Sequence, residues 1–569
     1  MPGLPQGAGA RLAIIAALIV VALAVAVPTA LRNAPRDPDP QKTGDAGNGA
    51  AGGGARGGPT VFRFYQENPE NLDPPLASDS YSSCVVAQIY SPLVGLTSDL
   101  EPTPQLAESW TISNDGKTYV FRIRPGVKFH HGREVTARDF EYSLTRVFRE
   151  PFRSEGFASG YLDAILGAKE FMDGRAKTVR GIRVIDDHTL EISLTRPYSS
   201  LLTALALDQT SAVPREIMES KGAQAMERHP IGTGPFRFVR REGRNAVVLE
   251  ANPNYFLGRP SIDTLVFFSP HGDVTALGAD ALLEGRATLS QLPSTRIEEF
   301  RARPGVAVLR WNDLSLAFIG MNASAPPFTD ARVRQAVALA IDRVAMLNRR
   351  PEGKSLAAGI LPPGIPGYAP AQKTYPRDVR AAKALLAQAG YGPGNPLPQI
   401  TMYRALSNAD LRGVDSVMVR SLREAGINVR MRYEPWAVLD EMITNKTAAM
   451  FGLAWVADIP DPDTFLRALF YSKSSTNYFK FKDATIDSLL DVAQSTGDPT
   501  LRLAVYRKAE EAILRAAPFV PLTHTASFIG LRDDVTGLEM NPLGISTLAI
   551  EKLHLGDPGN HADGRSVSR

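Results

Sequence analysis

Apolar positions follow three regimes along the chain. From Leu12 to Val27 they are continuous, sixteen residues of Leu, Ile, Val and Ala, with Arg11 before them and no charge until Arg32. That length lies at the border between a signal-peptide core and a membrane span, and the N-terminal position after a cation predicts export. Residues 1–31 are therefore either a signal peptide or an N-terminal membrane anchor. Ala24-Val25-Ala26 has the small-x-small form of a cleavage site, and Ala30 is a second candidate. No cysteine directly follows to carry a lipid. From Arg32 to Pro59 the apolar pattern vanishes, and half of Gly44 to Pro59 is glycine. Such a composition buries too little to order itself, which predicts a flexible Gly/Pro-rich linker over 32–59 and, by similar polarity, a disordered tail over 558–569.

Between these ends the pattern alternates at strand and helix periods. Val61 to Tyr65 reads as an opening strand. Tyr119 to Ile123 alternates between the turns Asn114-Asp115-Gly116 and Pro125-Gly126, and Thr189 to Leu194 alternates again. Phe236 to Val239 and Val247 to Glu250 flank Gly243 as a hairpin. Asp330 predicts a helix cap, with Val333, Val337, Ile341 and Val344 on one face. Helices are also expected over Ala381 to Ala389, stopped by Gly390, and over Val414 to Ala425, stopped by Gly426. A strand from Ile427 to Met431 follows. Helix, glycine, strand is the rhythm of an α/β protein.

Composition narrows the function. With 569 residues the chain holds several compact units, and 44% apolar content supplies real cores. Lys+Arg number 63 against 60 Asp+Glu, a balance that argues against nucleic acid as the partner. The single Cys84 excludes an internal disulfide, a cysteine zinc cluster and an iron–sulfur site. Gly353-Lys354-Ser355 lacks the upstream glycine of a phosphate loop, since that position is Asn348. No Gly-x-Ser-x-Gly elbow is present. His130 and His131 are adjacent, so on a strand they point apart. Neither a catalytic site nor a cofactor is expected.

A run of segments, in order, carries a resemblance. Gln105-Leu106-Ala107-Glu108-Ser109-Trp110 leads through Asn114-Asp115-Gly116-Lys117 to Arg124-Pro125-Gly126-Val127-Lys128-Phe129-His130 and Thr136-Ala137-Arg138-Asp139-Phe140. Gly232-Thr233-Gly234-Pro235-Phe236, Asn252-Pro253-Asn254-Tyr255-Phe256 and Phe328-Thr329-Asp330-Ala331-Arg332 follow. Together they resemble the extracytoplasmic solute-binding proteins of family 5, the oligopeptide and dipeptide binders of ABC importers. Two positions depart from the pattern: His131 stands where an Asp is common, and Gly285-Arg286-Ala287-Thr288 lacks an acid.

The resemblance implies an α/β, periplasmic-binding-protein-like fold, two lobes joined by a hinge with an extra subdomain on the first lobe. Lobe I comprises residues 60–96, 201–310 and 518–557, the subdomain 97–200, and lobe II 311–517. It implies a monomer, periplasmic or tethered to the outer face of the cytoplasmic membrane, that binds a peptide ligand and hands it to ABC permease subunits served by cytoplasmic ATPases. Trp455-Val456-Ala457-Asp458 resembles the segment whose aspartate pairs with the ligand's α-ammonium, which gives that role to Asp458 and makes Trp455 and Trp436 cleft walls, with Val456 and Ala457 alongside. Two alternatives stay open: the same fold holding a non-peptide solute such as a nickel chelate or oligosaccharide, or a tethered sensory protein without an import partner.

Overall fold

The computed structural model describes residues 59–149, 152, 161–222, 224–349, 352–370, 374–406, 411–457 and 459–556. The apolar run at 12–27, the linker up to Gly58, the tail over 558–569 and Asp458 lie outside the described residues. Among the described residues no helix is long and apolar enough to cross a membrane.

Strand β1 (Val61–Tyr65) alternates as its sequence demands, with Phe62 and Phe64 buried and Arg63 exposed. A short antiparallel pair, β2 (Val94–Leu96) and β3 (Pro102–Pro104), leads to a separate antiparallel sheet. That sheet holds β4 (Ala107–Ile112), β5 (Thr118–Ile123), β6 (Ile182–Asp186) and β7 (Thr189–Ser193) in the order β4-β5-β7-β6. It has its own core, with Phe121, Phe140, Leu190 and Ile192 fully buried. The chain then returns to the first sheet through the hairpin β8 (Phe236–Glu242) and β9 (Ala246–Ala251) and through β10 (Thr264–Phe268). β1 runs parallel to both β10 and β11 (Leu289–Gln291).

Two of the sequence motifs form one structural joint. The Gly234 N–H donates to the Ile89 carbonyl at 2.8 Å, and a Cβ on Gly232 would stand 2.1 Å from that same oxygen. Only glycine allows such an approach. The His130 N–H donates to the Gly232 carbonyl at 2.8 Å, and His130 Nε2 lies 3.1 Å from the Gly234 carbonyl. Burial pushes the His130 pKa down to about 4, so the ring is neutral and serves packing.

Strand β12 (Val306–Asn312) passes through Asp313 and Leu314 straight into β13 (Ser315–Met321), the first strand of the second lobe. The remaining strands are β14 (Lys354–Leu356), β15 (Ile400–Ala405), β16 (Val429–Glu434) and β17 (Met450–Val456). Their sheet is ordered β16-β15-β17-β13, with β15 parallel to both neighbours. Alternation along β13 feeds two cores. Phe318 joins Phe451, Phe470, Phe479 and Phe519 on one face, and Ile319 joins Val333, Val337 and Met402 on the other. The helices Ala331–Ala340, Val379–Gln388 and Arg412–Glu424 match the expected ones, and Asp330 accepts the Arg332 N–H as its cap. One detail differs. The first helix ends at Ala340, Ile341 is extended, and Val344 is 55% exposed instead of facing the core. Asp342 causes the break, because its carboxylate caps a new helix, Arg343–Leu347, by accepting the Ala345 N–H.

The last long strand, β18 (Phe519–Arg532), belongs to neither lobe alone. Its first residues pair with β13, and Ala526 to Arg532 pair with β12 and β11. The lobes are thus joined by two adjacent crossings, at Asp313-Leu314 and near Thr525. The Asp313 N–H donates to the Thr525 carbonyl at 2.9 Å, and Ser527 Oγ donates to the Asp313 carboxylate at 2.7 Å. Two lobes linked by paired strands, with a subdomain on the first, define the architecture of a periplasmic binding protein.

Candidate binding cleft

Where the crossings meet, a cavity of about 740 Å³ opens between the lobes. Its floor is the linkage itself, with Trp311, Asp313, Thr525 and Ser527. One wall comes from the first lobe: the start of the helix Ser80–Ile89 and the turn Asp208–Thr210. The opposite wall is the end of β17 and the segment after it, with Ala454, Val456, Ala457, Ile459 and Pro460. The loop Pro542 to Thr547 covers a further side. A cavity of this size falls within the range of small-molecule sites, about 300–1,000 Å³.

Strand alternation decides which predicted residues reach the cavity. Ala454 and Val456 face it, and Val456 is 61% exposed. Ala457 also lines it, held by its N–H donating to the Leu314 carbonyl at 2.8 Å. Trp455 lies on the other face of β17. Its Nε1 donates to the Thr464 carbonyl at 2.7 Å, and its ring meets Tyr478 edge-on at 6.2 Å. Trp436 opens the helix Trp436–Thr444 and is 54% exposed, away from the cavity lining. The described aromatics that do line the cleft are Tyr81 and Trp311, the latter packed against Gly544, where a Cβ would come within 2.9 Å of the indole nitrogen. The sequence showed Trp311 only as the start of a lobe. Asp458 lies outside the described residues, while its neighbours Ala457 and Ile459 both line the wall.

Charge in the cleft is one-sided. Three described carboxylates line it, Asp79, Asp208 and Asp313, and no described lining residue is Lys, Arg or His. Asp79 is committed to capping, accepting the Tyr81 and Ser82 N–H groups at 3.0 and 2.8 Å and the Ser82 hydroxyl at 2.6 Å. Asp313 accepts from Ser527, and burial raises its pKa against the opposing pull of that hydrogen bond and of Lys354. Asp208 differs: among the described residues its carboxylate has no hydrogen bond and no ion pair. Burial pushes its pKa up to about 8.

Just beyond the cleft wall, Asp461 and Asp463 form the opposite kind of site. Asp461 accepts from Ser200 Oγ at 2.6 Å and from Arg502 at 2.8 Å. Asp463 accepts from the Tyr506 hydroxyl at 2.6 Å and from Gln494 at 3.0 Å. Burial and the neighbouring Asp461 charge push the Asp463 pKa up. No described group of three or more His, Cys, Asp or Glu is arranged to hold a metal ion.

A two-lobed body with an open cavity of mixed polar and apolar lining between its lobes has the form of a solute-binding protein. The sequence pattern of the bacterial extracellular solute-binding proteins, family 5, matches residues 101–477, and the chain belongs to that family. The family binds solutes and is not in general enzymatic. A probable di/tripeptide-binding protein of Pseudomonas aeruginosa is 29% identical over 477 residues, covering 79% of this chain and 87% of its own. Heme-binding protein A of Haemophilus influenzae is 30% identical over 477 residues, covering 80% and 85%. The ABC transporter-associated periplasmic binding protein DppA of Helicobacter pylori, solved with the peptide STSA, superimposes with a TM-score of 0.70 at 26% identity, covering 88% of this chain and 98% of that one.

Proposed function

We propose that this protein is the extracytoplasmic substrate-binding component of an ABC importer and captures short peptides between its lobes. The observation that carries this reading is the inter-lobe cavity, about 740 Å³, with three acidic and no basic lining side chains among the described residues. Such a cavity favours a ligand with at least one positive charge, which every peptide with a free α-amine has. Asp458, between two residues of the wall, takes that ammonium, and Val456 and Ala457 form the surface beside it. A charge-assisted hydrogen bond there contributes about 1.5–3 kcal/mol. Trp455 supports the wall from behind through its bond to Thr464. Trp311, rather than Trp436, supplies the aromatic floor.

Capture works by closure. The two lobes swing about the crossings near Asp313 and Thr525, so the end of β12 with Trp311 moves with the first lobe and the start of β18 moves with the second. Ligand shifts the balance toward the closed form by binding it more tightly. The N-terminal segment exports the protein and, if retained, tethers it through the linker. The monomer then delivers cargo unchanged to membrane permease subunits. Mass spectrometry of small molecules released by denaturing the purified protein tests this reading. Short peptides are expected, and a uniform non-peptide solute overturns it.

A further inference from the structure

We infer that Asp208 forms a second cation subsite in the cleft, distinct from Asp458, so that the preferred ligands carry a basic group in addition to the α-amine. This inference rests on the peptide reading above and deepens it to peptides with a Lys or Arg side chain.

The geometry separates Asp208 from every other described acid near the cleft. It opens the short turn Asp208–Thr210, fixed by Gln209 Nε2 donating to the Ala77 carbonyl at 2.5 Å and by the Ser211 N–H donating to the Asp208 carbonyl at 3.0 Å. The backbone is therefore held, while among the described residues the carboxylate has no hydrogen-bond or ion-pair partner. Its side chain is partly exposed and lines the cavity. The elements packed against this turn are the turn Pro74–Leu76 and the helix Ser80–Ile89. Asp73, just before the first, is already paired with Arg146. From the second come Asp79, used as a cap, Tyr81, and Cys84, whose buried thiol is pushed up by burial and by Asp208 itself. On the cavity floor lies Asp313, hydrogen-bonded to Ser527. None of these groups is a cation, so the described protein offers Asp208 no counter-charge. An unpaired carboxylate at a cavity wall is unfavourable when ionised and becomes favourable when a ligand supplies the missing charge.

Binding is then linked to a proton. Before a ligand cation arrives, the raised pKa keeps Asp208 mostly protonated at pH 7. A ligand cation favours the carboxylate, so the proton leaves to solvent. The preference for a basic ligand therefore grows as pH rises toward about 8, levels off above it, and fades as pH falls.

The test uses the tripeptides Ala-Lys-Ala and Ala-norleucine-Ala, which differ only in the side-chain ammonium, against the full exported protein and its Asp208→Asn variant. Calorimetry at pH 7.5 is expected to show about tenfold or greater preference for the lysine peptide in the wild type. In D208N the preference disappears while the norleucine peptide binds as before. Runs in phosphate and in Tris should show net proton release for the lysine peptide in the wild type only. A third probe, 1,5-diaminopentane, asks for the cation subsite without a peptide backbone, read as a rise in melting temperature. If neither peptide binds but the diamine stabilises the wild type and not D208N, the peptide reading falls and the subsite stands. If both peptides bind the wild type equally, or D208N weakens both alike, the subsite is overturned. If no probe binds, both are overturned.

Discussion

Asp208 and the pair Asp461 and Asp463 are the same residue type within one binding cleft and its wall, under opposite conditions. The pair is buried and partnered on each side by Arg502, Ser200, Tyr506 and Gln494. Asp208 faces the cavity and has no partner among the described residues. Partners make the pair part of the frame. Ser200 stands just before the helix Leu201–Ala204 of the first lobe's side, so the network also ties that side to the second lobe. The lack of partners makes Asp208 available to a ligand. A carboxylate's role is thus set by what surrounds it, and chemistry at the cleft is found by asking which charges the fold leaves unanswered.

Removing Arg502 tests the frame hardest. Arg502→Met leaves the buried Asp461 carboxylate without its ion-pair partner and should lower stability by about 3–5 kcal/mol in chemical denaturation. A loss under about 1 kcal/mol would mean that the network is not structural. Asp458→Ala comes next. It should weaken a free-amine peptide by about 2–5 kcal/mol and its N-acetylated form hardly at all, measured by calorimetry. Equal losses for the two peptides would make Asp458 a turn residue. Tyr506→Phe removes one hydroxyl from Asp463 and should reduce stability by about 1–3 kcal/mol. The smallest effect has the opposite sign. Because the Asp208 pKa is raised on folding, its ionisation destabilises the folded protein increasingly as pH rises from about 4 to about 8. Asp208→Asn should therefore raise the melting temperature modestly at pH 8 and leave it unchanged near pH 4. A loss of stability at both pH values would place Asp208 with the framework acids instead.

Local elements were legible because their signals are local. The alternation of Val61 to Tyr65, the hairpin around Gly243 and the glycine stops at Gly390 and Gly426 each depend on a few neighbouring residues. The apolar stripe extended to Val344 concealed a break, because Asp342 caps a second helix at a position where periodicity continues. The double membership of β18 was not legible, since alternation predicts a strand without naming its partners. The segment at the end of β17 was legible by resemblance, but which of its residues reach the cavity follows from the face each occupies on the strand. Asp208 carried no motif at all. Its significance is the absence of a cation around it among the described residues, and that exists only once residues distant in sequence have packed together.

Capture requires the lobes to close around a peptide. Small-angle scattering of the folded body, with and without a peptide shown by calorimetry to bind, tests it most directly. A smaller radius of gyration with peptide is the predicted result. An unchanged radius at saturating peptide would contradict closure of the cleft.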